Sequence, residues 1–424
     1  MENLHNRSTG PMVALLQQVL KNQGYYKGEI DSVFDPGTYG AVIAFQQANG
    51  LMANGIAGTQ TWNMLGPQIY GYKKYTVQPG DTLFGIARQF GADPAAVAAA
   101  NPVKPEKLMS GQTIAVPTGA QVVFTALPYS YEIMEINLQG LRRRYPFLKI
   151  GAFGQSVSGR KLYAVVIGEG PVEVFYNASH HANEWITTTV LMRFIERFCA
   201  AYIHRASIFG HSVRDICRTH TIVIAPMINP DGVNLVTGAT KPGDDEYARA
   251  QALSRQDIPF PQGWKANIRG VDLNLNYPAG WETASAVKST LLGVSSPGPR
   301  DYVGPHPLSE PECAAVAAFT RRHDFKLVLA YHTQGETIYW KYNGYNPAGS
   351  LAIAKEFSRA GGYSVDETPQ ESGNAGYKDW FIQEYNRPGY TIEAGKGINP
   401  LPLSRFPKIY NDNEGILILG ATHK

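Results

Sequence analysis

The chain has 424 residues, a net charge of +3 and 17% charged side chains. That length fits about two or three domains, the largest of them big enough to bury a full core. So small a net charge, carried by scattered Lys and Arg, excludes the strong positive field on which nucleic-acid binding depends, and no apolar run approaches the roughly 18 residues a membrane span needs.

From about residue 9, Val13, Leu16 and Leu20 recur at helical spacing until Gly24 ends the first helix. Gly28, Asp31, Asp35 and Gly37 make a turn-rich link, and Thr38 is placed to cap a second helix whose apolar face holds Val42 and Phe45. Gly50-Leu51 and Gly55-Ile56-Ala57-Gly58 lead to a last short helix with Trp62 and Leu65. The words GYYKGEIDSVF, AVIAFQQANGL and GIAGTQTW resemble the peptidoglycan-binding domain of bacterial wall hydrolases. The resemblance makes residues 9–68 an expected small three-helix domain.

Next, Tyr75-Thr76-Val77 reads as a strand and Gln78-Pro79-Gly80-Asp81-Thr82 as a turn. Either Asp81 or Thr82 caps a helix with Leu83, Ile86, Ala87 and Phe90 on one face, and Gly91 closes it. Asp93-Pro94 opens another helix, with Pro94 at the first position where its missing N–H costs nothing. Asn101-Pro102 ends it, and Thr113-Ile114-Ala115-Val116-Pro117 is the return strand. This βααβ order with YTVQPGDTLFGIA resembles a LysM domain over 74–117, which implies weak binding to glycans containing N-acetylglucosamine. Two wall-binding modules in one chain would raise affinity through effective concentration.

Across 124–424, strands such as Leu162–Ile167, Val172–Tyr176, Thr221–Ala225, Leu327–Ala330 and Tyr390–Ile392 alternate with helices. The helices include Ile186–Tyr202, Ala314–Arg321, Leu351–Ala360 and one within Leu403–Leu419. Such alternation predicts an α/β fold, a mostly parallel or mixed sheet covered by helices on both faces. Ser309-Glu310-Pro311-Glu312 reads as a capping box with Pro in the first turn. Arg142-Arg143-Arg144 is expected to lie on a solvated helix face. Cys199, Cys217 and Cys313 are too few and too far apart for a disulfide framework, so buried thiols in a reducing compartment are expected, with a Cys199–Cys217 bridge left open.

The chemistry gathers in five words that follow in order: Ser179-His180-His181-Ala182-Asn183-Glu184-Trp185, Asn229-Pro230-Asp231-Gly232, Gly270-Val271-Asp272-Leu273-Asn274, Tyr331-His332 and Tyr390-Thr391-Ile392-Glu393. His181 and Glu184, three apart, can reach one metal ion, and His180, four from Glu184, is a rival. His332 follows an apolar strand, and strand ends are where α/β ligands gather. Two imidazoles and one carboxylate are the set that holds catalytic zinc with a position open to water, and a further carboxylate can serve as general base. The words and their order resemble the zinc metallocarboxypeptidases of the carboxypeptidase A type, over the whole of 124–424. The resemblance implies a carboxypeptidase-like fold and one Zn2+ per catalytic domain, held by His181, Glu184 and His332, with His180 beside the ligands or facing substrate. It makes Glu393 the base that deprotonates water and then protonates the leaving amine. It places the cation for the developing oxyanion at Lys265, with Arg269 as the alternative.

Relatives of the digestive type read Asn-Arg, a grip on the substrate's terminal carboxylate, where this chain has Asn274-Leu275. Leucine forms no charge-assisted fork, so the clamp is gone or is supplied by another cation such as Arg300. Register around Asp379-Trp380 puts Ile382 where the family's mobile phenol is expected, which leaves Tyr377 either to reach substrate in its place or to pack in the core. These departures disfavour a general protein carboxypeptidase. With the two wall modules, the resemblance points instead to the endopeptidases that cut the γ-D-glutamyl–meso-diaminopimelate (or L-diamino acid) bond. The expected partners are peptidoglycan glycan strands and stem peptides, with no obligate protein partner indicated. The competing readings are a metallocarboxypeptidase that trims C-terminal amino acids and a non-catalytic wall-binding protein. The start MENLHNRSTGPMV shows no signal-peptide pattern, so cytoplasmic synthesis and action in a spore or sporulating Gram-positive cell are expected.

Overall fold

Prolines and small turn residues open most of the N-terminal helices. The computed structural model describes residues 1–103, 107–369 and 371–423; the expected spans 74–117 and 124–424 also run over 104–106, 370 and 424, which lie outside the described residues. Packing divides the chain into two units, residues 1–149 with 199–204, and 150–198 with 205 onward.

The first unit begins with α1 (Pro11–Asn22), α2 (Pro36–Ala48) and α3 (Thr59–Tyr70). Val13, Leu16, Leu20, Val42, Phe45, Trp62 and Leu65 are buried in it. The cap of α2 is Asp35, whose carboxylate accepts the Thr38 N–H at 2.7 Å. Pro36 occupies the first helical position, so the cap falls on the residue before it. Thr38, expected as the cap, lies inside the first turn, with its buried hydroxyl 3.0 Å from the Gln17 amide. Next come β1 (Tyr72–Thr76), α4 (Leu83–Gln89), α5 (Pro94–Ala100) and β2 (Thr113–Pro117), the two strands antiparallel from Tyr72 opposite Pro117 to Thr76 opposite Thr113. Thr82 caps α4, while Asp81 accepts from the Tyr75 hydroxyl and the Gln78 N–H. Phe90, expected on the buried face of α4, lies past its end, exposed, with its edge against Tyr75.

The helix α6 (Tyr131–Arg144) follows, and it too belongs to the first unit, so packing divides the chain later than the boundary expected near 124. At Gly140 a Cβ would lie 2.9 Å from the Tyr70 carbonyl oxygen, a close approach of α6 to the end of α3. Arg144 corrects the expectation of a solvated arginine run. Its guanidinium is buried, lies over the Tyr145 ring and donates to the Ala120 carbonyl at 2.8 Å.

The chain continues through β3 (Lys149–Gln155), β4 (Lys161–Ile167), β5 (Val172–Ala178), α7 (Ile186–Ile203), β6 (Ser207–Ile208), β7 (His211–Ser212), α8 (Val213–Thr219), β8 (His220–Ala225), α9 (Pro230–Thr237), α10 (Asp245–Ala252) and α11 (Trp281–Leu292). It ends with α12 (Pro311–Arg321), β9 (Leu327–His332), β10 (Thr337–Tyr339), α13 (Ser350–Gly361), β11 (Ser364–Asp366), α14 (Tyr377–Tyr385), β12 (Gly389–Glu393) and α15 (Phe406–Gly420). Eight strands form one mixed sheet in the order β11-β10-β12-β9-β5-β8-β4-β3. Its centre is parallel: β12 with β9, β9 with β5, and β5 with β8. Every residue of β9 is buried, as a strand covered on both faces requires. Alternation sends Phe175 and Val328 to one face, into a core with Phe319 of α12 and Trp380 of α14. Tyr176 turns to the other face, against Phe194 of α7, and its hydroxyl donates to the Leu417 carbonyl of α15.

The capping box expected at Ser309 does not form. Glu310 is the residue before α12 and makes no side-chain cap; the Ser309 hydroxyl bonds the Glu310 carboxylate, and the Glu312 carboxylate accepts the Val157 N–H at 3.0 Å. A distant backbone donor has taken the acid that the local pattern assigned to the helix end. All three cysteines are reduced thiols, Cys199 and Cys313 buried and Cys217 half-buried. Among the described residues no helix is long and apolar enough to cross a membrane.

Candidate active site

Three neighbouring parallel strands, β5, β9 and β12, deliver their C-terminal ends to one place, the position at which open α/β sheets bind ligands. After β5 the backbone turns sharply at Ser179, in the left-handed region at φ 53°. That strain is held by the Ser179 hydroxyl, 2.8 Å from the Thr188 hydroxyl, and by the Ser179 carbonyl, which accepts the Asn229 N–H at 3.0 Å. The turn leads into a short 3-10 turn, Ala182–Glu184. Asn229 donates to the carbonyls of His180 and Ala266, and the Ala182 N–H donates to the Lys265 carbonyl, so the segment around Lys265 is stitched to the histidine segment.

His181, Glu184 and His332 come together as buried side chains whose ligand atoms suit a single metal ion. His181 Nδ1 lies 3.0 Å from Glu184 Oε1, and His332 Nδ1 lies 3.0 Å from Glu184 Oε2 and 3.0 Å from His181 Nδ1. The other nitrogen of His181, Nε2, is 3.0 Å from Asp272 Oδ1. A proton held there leaves the Nδ1 lone pair for a metal, the carboxylate–histidine arrangement that orients metal ligands. Burial alone would raise the Glu184 carboxyl, but His181 and His332 beside it hold it well below the usual carboxylate range. Burial would likewise raise Asp272, and His181 and Lys265 hold it below that range. Two nitrogen donors and an ionised carboxylate, converging with 3.0 Å between their ligand atoms, match the donor chemistry of zinc.

Glu393 ends β12 in register with His332 of β9. Burial pushes its carboxyl up to about 8, and the nearby charge of Glu184 adds to the rise. A cation between the two acids would reverse the second effect. A cavity of 680 Å³ opens here, lined by His181, Glu184, Glu393, Lys265, Asn274, Leu275 and Arg300, among others. Lys265 Nζ is 3.9 Å from Asp272 Oδ2; burial would lower its pKa, but Asp272 and Glu184 raise it, so it stays charged. Arg269, the alternative cation, is not in the cavity wall and lies 3.8 Å from Glu310 on a mostly exposed side chain.

Asn274 lines the cavity, and its side-chain oxygen accepts the Tyr377 N–H at 3.0 Å. Tyr377 and His180 are not brought to the cavity wall. The Tyr377 ring is buried among Phe175, Tyr277 and Trp380, with its hydroxyl 3.1 Å from that of Thr320, so of the two roles left open for it, packing is the one it has. His180 is buried behind the site; its ring stacks on His332 and its Nε2 is 3.0 Å from the Tyr277 hydroxyl. Burial holds its pKa well below the usual histidine value, so it backs the ligands as a neutral ring. Asp272 lies in one of the five words but carried no expected role. A carboxylate near a metal-binding imidazole was the available signal. Lys378 and Asp379, also in the cavity wall, were passed over as well.

The comparisons agree with this geometry. Residues 134–414 match the zinc carboxypeptidase family model, 9–65 a putative peptidoglycan binding domain and 75–117 a LysM domain. Over 294 residues the chain is 42% identical to gamma-D-glutamyl-L-diamino acid endopeptidase 1 of Lysinibacillus sphaericus, covering 69% of this chain and 72% of that one. A 75-residue stretch is 41% identical to the spore cortex-lytic enzyme of Bacillus cereus, 18% of this chain and 29% of that one. The fold is that of bovine thrombin-activatable fibrinolysis inhibitor, solved with a tick carboxypeptidase inhibitor, at a TM-score of 0.55 and 20% identity over 69% of this chain and 96% of that one. More than half of the sequence, with the buried triad inside it, matches one family model, and the chain belongs to the zinc carboxypeptidase family of metallopeptidases.

Proposed function

We propose that this metallopeptidase hydrolyses the γ-D-glutamyl–diamino acid bond of peptidoglycan stem peptides. The reading is carried by one pairing: a cavity whose wall holds Glu393 together with His181 and Glu184 of the buried triad, in a chain with two segments matching wall-binding families. One zinc ion would be held by Nδ1 of His181, Nδ1 of His332 and the Glu184 carboxylate. The chemistry supplied there by zinc is that of a Lewis acid, which polarises a carbonyl and lowers the pKa of water toward about 7. Glu393 takes a proton from the attacking water and returns it to the departing amine. Lys265 offsets the negative charge that grows on the scissile oxygen. Asp272 keeps His181 in the tautomer that points Nδ1 inward.

Leu275 in the cavity wall favours a stem-peptide bond over the trimming of ordinary C-termini, because no fork to a terminal carboxylate can form at that position. The likeness to a wall endopeptidase and to a spore cortex-lytic enzyme supports glycan strands and stem peptides as partners, in the wall of a spore or sporulating cell. The test is mass spectrometry of the products from L-Ala-γ-D-Glu-meso-diaminopimelate, with and without a zinc chelator. Chelator-sensitive release of free diaminopimelate is expected. No cleavage of this tripeptide or the matching tetrapeptide by zinc-loaded protein would sink the reading.

A further inference from the structure

One cation in the wall of the active-site cavity takes no part in the hydrolytic step. Arg300 lines that cavity, and its Nε donates to Asp301 Oδ2 at 3.2 Å. No hydrogen bond ties its two terminal nitrogens to another described residue. Asp301 is itself pinned. Its other carboxylate oxygen accepts from Lys288 Nζ at 2.9 Å, a side chain only 9% exposed, and its backbone lies in the left-handed region at φ 70°. A residue with a side chain is strained there and stays only where its surroundings over-determine it, a feature that gathers at ligand clamps.

The same segment is tied to the reacting centre through its backbone. The Pro299 carbonyl accepts the N–H of Lys265 at 2.8 Å and that of Ala266 at 3.0 Å. The Tyr302 carbonyl accepts the Asp272 N–H at 2.8 Å, and the Asp301 N–H donates to Asp272 Oδ2 at 3.4 Å. Arg300 is thus carried between neighbours that bond the segments of Lys265 and Asp272. Burial and the charge of Arg300 both pull the Lys265 pKa down, against the lift from Asp272 and Glu184, so the two cations act on one region.

We infer that Arg300, aimed by Asp301, binds a free carboxylate on the acyl side of the scissile bond, the α-carboxylate of a γ-linked D-glutamyl residue. The inference rests on the stem-peptide reading above and names how that site tells a γ-linkage from an ordinary one. A γ-linked residue is joined through its side-chain carboxyl, so its α-carboxylate stays ionised a short methylene chain from the carbonyl under attack, the carbonyl that Lys265 serves. A residue joined through its α-carboxyl has spent that group in the bond and leaves the guanidinium unpaired. The terminal nitrogens of an arginine meet both oxygens of a carboxylate in charge-assisted bonds that orient as well as hold. A site built for such a pair rejects a substrate that lacks one member.

The experiment compares three tripeptides: L-Ala-γ-D-Glu-meso-diaminopimelate, the same peptide amidated on the D-Glu α-carboxylate, and the same peptide amidated instead on the diaminopimelate carboxylate next to the scissile nitrogen. Wild-type, zinc-loaded enzyme is expected to lose on the order of 10- to 100-fold in kcat/KM on the first amidation. In Arg300→Met that preference should collapse to within about threefold, through loss on the unmodified peptide, and Arg300→Lys, which keeps the charge without the fork, should fall between the two. The wild-type ratio decides even if a variant does not fold. Equal cleavage of the first two peptides by wild type, or intact preference in a folded Arg300→Met, overturns the assignment. So does an Arg300→Met whose lost preference concerns the third peptide, because Arg300 would then serve the leaving side. Cleavage of none of the three by wild type overturns the stem-peptide reading itself, and the role of Arg300 with it.

Discussion

At the scale of single residues, a metal-binding imidazole is aimed by a neighbouring carboxylate. Asp272 is the clearest case, since its carboxylate sits 3.0 Å from His181 Nε2 while its other oxygen lies 3.9 Å from Lys265 Nζ. Asp272→Asn removes a charge that serves both, and zinc affinity should fall by about 10- to 100-fold. Competition with a chromophoric chelator measures it, and unchanged affinity would contradict the role. His181, Glu184, His332 and Glu393 were legible in the sequence because each lies in one of the short words that carry the family resemblance. Arg269 was misplaced, and the role of Tyr377 stayed open, for a different reason. Spacing says how near two residues can come, but the direction of a side chain depends on the core it enters. Tyr377 enters one built from Phe175, Tyr277 and Trp380.

At the scale of elements, the central strands were legible from apolar runs, whereas the edges were not. β10 and β11 are three residues each, and β3 is glycine-containing and largely unburied, so none carries the pattern of a strand. The failed capping box before α12 has an energetic consequence. Burial pushes the Glu312 carboxyl up to about 8, and Asp231 and Glu310 add to the rise. Between the ordinary value of 4.5 and about 8 the folded chain holds a proton that the unfolded chain has lost. Stability therefore falls as pH climbs through that window. Glu312→Gln should flatten the fall, with a gain on the order of a few kcal/mol at the upper end of the window if the structure keeps its Val157 contact. Urea melts of both proteins at pH 5 and pH 8 measure this; a parallel loss in both would contradict it.

At the scale of the whole molecule, three family matches in one chain place a segment of a peptidoglycan-binding family and a LysM segment ahead of a peptidase. The modules were legible because each match spans nearly a whole small unit. Where packing divides the chain was not legible, because α6 joins the first unit through contacts with α3 and α5 that no local pattern reveals. Tethering raises effective concentration without touching the chemical step. An excess of soluble N-acetylglucosamine oligomers should therefore slow release of diaminopimelate from insoluble wall by about tenfold or more, at an unchanged rate on the soluble tripeptide. Equal inhibition of both, or of neither, would contradict that division of labour.

The central claim is that Glu393 moves the proton while His181, Glu184 and His332 hold the metal. The most direct measurement is the rate of diaminopimelate release by Glu393→Gln beside wild type, with the zinc content of each determined on the same samples. Equal zinc and a rate lower by about 10²- to 10⁴-fold are expected. Equal zinc with a rate near that of wild type would contradict the assignment of Glu393.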